Sequence, residues 1–129
     1  MSMRLTMSLV LAAMLLSAPA ARAEPPVNVQ IEINFLLGYI EGSRCEFYRN
    51  GTWKDSKSAQ AHIRDKYKYL MTRNLIDTTE DFIERAATKS SFTGQPYEVR
   101  CNDGPIVSSN QWLRYELIRF RMQIGRAHV

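Results

Sequence analysis

Residues 45–53 read Cys-Glu-Phe-Tyr-Arg-Asn-Gly-Thr-Trp. Asn50-Gly51 is the strongest local turn signal in the chain, because both residues tolerate the positive φ that a two-residue hairpin needs. Cys45 to Arg49 favour extended backbone with Cys45 and Phe47 on one face, and Thr52 and Trp53 read as a brief returning strand. A second alternating stretch follows at Tyr97, Val99 and Cys101, interleaved with Glu98 and Arg100 and stopped by Asn102-Asp103-Gly104-Pro105. Antiparallel pairing of the two stretches sets Cys45 opposite Cys101. Parallel pairing would hold them a strand length apart, beyond the ~7 Å between Cα atoms that a disulfide spans.

Around these strands the periodicity is helical. Ile33, Leu36, Leu37 and Ile40 recur at i, i+3, i+4 and i+7 and predict a helix over residues 28–41, ended by Gly42. Asp55 or Ser56 caps a second helix with Ala59, Ile63, Tyr67 and Leu70 as its buried stripe. Thr78 or Thr79 caps a short third helix, with Glu80 and Asp81 in its first turn and Phe82, Ile83 and Ala86 facing inward. A last helix starts near Ser108 or Ser109, carries Leu113, Leu117 and Phe120 on one face beside Trp112, and displays Arg114, Arg119 and Arg121 elsewhere. The order helix-strand-helix-helix-strand-helix predicts an α+β fold, four helices on a small antiparallel sheet of two or three strands.

The amino terminus reads as a cleavable export signal. Arg4 supplies the positive start, Leu5 to Leu16 an apolar run shorter than the ~20 residues a bilayer core requires, and Ala21-Arg22-Ala23 the small-x-small pattern of a cleavage site. A cut between Ala23 and Glu24 leaves 106 of the 129 residues, enough for one domain, and the product is expected in the periplasm or secreted. Arg4 and Arg22 leave with the leader, so the formal charge falls from +4 to +2. A nearly balanced, evenly spread charge implies neither nucleic acid nor stable membrane insertion. Residues 124–129, Ile-Gly-Arg-Ala-His-Val, read as a translated sequencing-adapter sequence, so the native chain is expected to diverge after Gln123 and His128 carries no argument.

Cys45 and Cys101 are the two cysteines, and an exported chain in an oxidising compartment pairs such a couple. Closing a loop of about 57 residues stabilises the fold by ~4 kcal/mol in the chain-entropy model. Two cysteines without a neighbouring histidine or third thiol make a poor zinc set, and no C-x-x-C spacing suggests redox chemistry.

Five stretches in order carry a family resemblance: Phe47-Tyr48-Arg49-Asn50-Gly51, Ala61-His62-Ile63 with Lys66, Glu80-Asp81-Phe82-Ile83, Ser90-Ser91-Phe92-Thr93-Gly94-Gln95-Pro96-Tyr97, and Trp112-Leu113. The series resembles the proteobacterial domain-of-unknown-function family 5329 across nearly the whole exported chain. That resemblance implies a single envelope domain and supplies no activity.

The chemistry-bearing residues are few. His62 lies beside the apolar stripe of the second helix, with Lys66 and Tyr69 on the same side, and could serve as a general base only with a nucleophile such as Ser90 or Ser91 in reach. A half-buried histidine bonded to backbone or solvent is the favoured reading. The Lys89–Pro96 loop exposes backbone donors but follows a helix C-terminus, whose partial negative charge repels anions, so it reads as a connection. No motif implies a metal or cofactor. Among the aromatics, Tyr48 falls on the face opposite Phe47 and is expected to be exposed. The composite expectation is a non-enzymatic periplasmic module that binds an envelope protein or glycan, with an inhibitor or immunity role as a narrower version. A small hydrolase using His62 with Ser90 or Ser91 is the alternative.

Overall fold

The computed structural model describes residues 24–127. The leader through Ala23 therefore lies outside the described residues, as do His128 and Val129, while Glu24 is exposed. Eight elements follow in chain order: α1 (Val27–Gly42), β1 (Glu46–Arg49), β2 (Thr52–Lys54), α2 (Ser56–Met71), α3 (Thr79–Ala86), β3 (Glu98–Arg100), β4 (Ile106–Ser108) and α4 (Ser109–Ala127). The fold is α+β, as the periodicities predict.

The helices begin where capping chemistry allows. Asp55 accepts the Ser58 N–H at 2.8 Å to start α2. Thr78 and Asp81 form a reciprocal capping box at α3, and the Ser108 hydroxyl accepts the Gln111 N–H at 3.1 Å in the first turn of α4. Helix α1 is the central one: it touches α2, α3 and α4, and Ile33, Leu36, Leu37 and Ile40 all reach the core. Phe35 stacks on Phe120 at 4.1 Å and Tyr39 meets Trp112 at 4.7 Å, which fixes α4 antiparallel along α1.

The sheet has four antiparallel strands in the order β2-β1-β3-β4, not two or three. The strand missed in the sequence is β4, because Ile106-Val107-Ser108 runs straight into a helix and is too short to show alternation. Asn50 (φ 51°) and Gly51 (φ 86°) make the two-residue turn between β1 and β2, with Arg49 opposite Thr52. At the β3–β4 turn the Gly104 N–H donates to the Cys101 carbonyl at 2.8 Å, and a Cβ there would sit 2.9 Å from that oxygen, so the turn requires glycine.

Cys45 and Cys101 are joined as a disulfide. They lie just outside β1 and β3, not within strands, yet the antiparallel register carries on past the Glu46–Arg100 pair to bring them together. Tyr48 corrects one expectation. It does face away from Phe47, but its ring packs edge-on against Trp53 at 5.3 Å and is half-buried; Arg100 in turn covers the Trp53 ring at 4.2 Å. Outer-face aromatics on neighbouring strands shield one another, which alternation within one strand does not reveal. No helix among the described residues is long and apolar enough to cross a membrane.

Candidate functional site: a cavity between α2 and the sheet

Period-two alternation puts Arg49 on the same face of β1 as the buried Phe47, and the register places Lys54 of β2 directly opposite Phe47. That face looks toward α2. A cavity of about 300 Å³ opens there, with Phe47, Arg49 and Lys54 on the sheet side and Ala59, His62 and Ile63 on the helix side. Tyr48, Ser58, Ala61, Tyr97 and Ser109 complete its wall, and no carboxylate lines it.

His62 faces this space and its Nε2 lies 3.2 Å from the Tyr97 hydroxyl. Lys66, one turn along α2, donates from Nζ to the Lys89 carbonyl at 2.8 Å and to the same Tyr97 oxygen at 3.3 Å. With Lys66 donating to the phenol oxygen, the phenol proton can go to an unprotonated Nε2, which suits a neutral His62 carrying its proton on Nδ1. Burial lowers the His62 pKa below its ordinary value, and the positive charges of Arg49 and Lys66 push it the same way against Asp65. Burial, then Arg49 and Lys89, lower the Lys66 pKa too. Burial raises that of Tyr97, with Arg49 opposing. Three side chains, two from α2 and Tyr97 just before β3, thus share one hydrogen-bonded cluster beside an inward-facing guanidinium.

Ser109 contributes the most unusual feature. It is 1% exposed, it lines the cavity, and its Oγ has no hydrogen-bond partner. Buried hydroxyls are nearly always satisfied, so an orphan in a residue of a cavity wall is exceptional.

The serines singled out from the sequence lie elsewhere. Ser90 is buried, and its Oγ accepts the N–H groups of Phe92 at 3.1 Å and Thr93 at 3.3 Å, holding the turn of the 89–96 loop. Ser91 is exposed, and no hydrogen bond joins either serine to His62 among the described residues. The loop docks on the β1–β2 turn through Thr93, whose hydroxyl donates to Asn50 Oδ1 at 2.8 Å, and it presents Phe92 at 93% exposure. Sequence reasoning found His62 and Lys66 but missed Arg49, Lys54 and Ser109. The signal for Arg49 was present in its parity with Cys45 and Phe47, whereas nothing in the sequence near Ser109 announces a buried hydroxyl without a partner.

Comparison with known proteins fits this architecture to a family. A family model described as a family of unknown function, DUF5329, matches residues 27–121, a span that holds every residue of the cavity. The chain is similar to a Salmonella typhimurium protein called uncharacterized protein YfeK, 38% identical over 86 residues, which is 66% of this chain and 69% of that protein. No solved structure matches. With the matched span running from the first turn of α1 to the arginine that ties α4 to α1 and α3, the chain belongs to the DUF5329 family.

Proposed function

We propose that this protein is an exported, non-enzymatic binding module of the cell envelope, and that the cavity between α2 and the sheet holds its ligand. The observation that carries the reading is the cavity itself, a preformed, largely apolar space with a few convergent polar groups and a buried hydroxyl left without a partner. The leader-like amino terminus and the Cys45–Cys101 disulfide support the periplasm as its compartment, since such bonds persist where thiols are oxidised.

Native mass spectrometry of the protein taken from the periplasm tests the reading. Ala61 is exposed on α2 and lines the cavity, so Ala61→Phe narrows it without disturbing the core. The wild type is expected to carry a bound small molecule that Ala61→Phe has lost. A wild type with no bound molecule, behaving like the variant toward envelope extracts, would overturn it.

The hydrolase alternative draws its support from His62, a histidine with a displaced pKa at a cavity wall. It requires Ser90 Oγ to leave two backbone donors, or exposed Ser91 to move toward His62. Equal turnover by wild type and His62→Ala in any hydrolytic assay that registers activity would remove it.

A further inference from the structure

Resting on the reading of the cavity as a binding site, we infer that its ligand is a small amphiphilic anion, with a compact anionic head against Arg49 and His62 and an apolar body against Phe47, Ala59 and Ile63. Charge complementarity is the first argument. Arg49, Lys54 and His62 line the space, Lys66 stands behind it on Tyr97, and no aspartate or glutamate is part of the wall. Arg49, which lines the space, has no ion-pair partner among the described residues. A guanidinium directed onto the inner face of a strand without a carboxylate is a site for an anion from outside the chain.

The second argument is independent of charge. Ser109, whose buried hydroxyl has no hydrogen-bond partner, belongs to the same wall, so an unsatisfied polar group adjoins the space. The third is size and polarity. About 300 Å³ lies at the lower end of the range for ligand sites, which suits a small molecule. Phe47, Ala59 and Ile63 offer nothing to a polar body, so a bare inorganic anion would leave most of the wall unused.

Isothermal titration of the leader-free protein at pH 7 with octanoate, octyl phosphate, octan-1-ol and inorganic phosphate tests the inference. Octanoate or octyl phosphate is expected to bind at least tenfold more tightly than octanol, and whichever does identifies the head group as carboxylate or phosphate. Arg49→Gln is expected to remove that preference while leaving octanol binding unchanged. Lys66→Gln serves as the second variant, with thermal unfolding as the check that each is folded. Octanol binding as tightly as both anions would overturn the anion while keeping the cavity as a site. Inorganic phosphate matching the amphiphiles would overturn the apolar body. No binding of any probe would overturn this inference, and the binding reading itself falls only if native mass spectrometry also finds the cavity empty.

Discussion

Cys45 and Cys101 stand one position beyond the Glu46–Arg100 pair of the two central strands, with Cα atoms 4.3 Å apart. The bond closes the register that already aligns β1 with β3, so the covalent link and the hydrogen-bonded ladder constrain the same two segments. Its stabilisation is that of closing a long loop in the unfolded chain, ~4 kcal/mol.

The double variant Cys45→Ala, Cys101→Ala is therefore expected to unfold at a clearly lower denaturant concentration, with a loss of about 2–5 kcal/mol. Reducing the wild type should reproduce most of that loss. Coincident unfolding curves for oxidised, reduced and double-variant protein would show that the bond contributes nothing. The double variant is preferred to a single one because it leaves no free thiol to mispair.

Much of this architecture is legible in the sequence because the signals are short-range. The i, i+3, i+4 spacing of Ile33, Leu36, Leu37 and Ile40, the Asp55 and Thr78 caps and the Asn50-Gly51 turn each fix local backbone by local chemistry. The cavity is not legible in that way. Its wall joins β1, β2, α2, the residue before β3 and the start of α4, so Arg49, Lys54, His62, Tyr97 and Ser109 come together only through tertiary packing. His62 attracted notice as a histidine near serines, but its contact is a tyrosine 35 positions away that the sequence marked only as half-buried strand.

Arg121 links three helices, and acid should expose that link. Its guanidinium donates to Glu32 of α1 at 2.7 and 2.9 Å and to Glu80 of α3 at 2.8 Å, and Thr79 donates its hydroxyl to Glu32. The hydrogen bonds from Arg121 are the largest cause lowering the pKa of both glutamates below the usual carboxylate value. With the folded-state values depressed, the folded protein binds fewer protons than the unfolded chain. The stabilisation is thus complete above the ordinary carboxylate pKa and is lost as pH falls through the folded-state values. Arg121 and Glu80 are each 43% exposed while Glu32 is 15% exposed, so solvent screening holds the total to about 1–2 kcal/mol. Arg121→Met is expected to lose that amount at pH 7 and to differ less from wild type at pH 3, as read by urea midpoints. An unchanged difference between the two pH values would exclude the linkage.

Ser109→Ala is a sharp check on the orphan hydroxyl. Removing a buried hydroxyl that has a partner costs about 1 kcal/mol or more, whereas removing one that has none relieves its desolvation penalty. Stability of the Ser109→Ala protein is therefore expected to equal or exceed that of wild type when no ligand is bound. A drop of about 1 kcal/mol would show that the Oγ already has a partner inside the fold.

The His62 cluster makes the most specific spectroscopic prediction. The charged and titratable groups acting on this imidazole are Arg49 from β1, Lys66 and Asp65 from α2, and the Tyr97 hydroxyl beside Nε2. Burial and the two cations disfavour the imidazolium, so His62 should titrate in NMR spectra below the ordinary value of 6.5. A depressed value means that the folded state resists protonation. Its contribution to stability is present above pH 6.5 and declines as pH falls through the folded-state value. Arg49→Gln removes one opposing cation and is expected to raise the His62 pKa toward 6.5. Tyr97→Phe tests the hydrogen bond separately, because loss of the hydroxyl should alter the Nε2 and Nδ1 chemical shifts of the neutral ring while leaving the fold intact. A His62 that titrates at or above 6.5 in the wild type, unmoved by Arg49→Gln, would place the guanidinium away from the cavity and remove the basis for electrostatic recognition there.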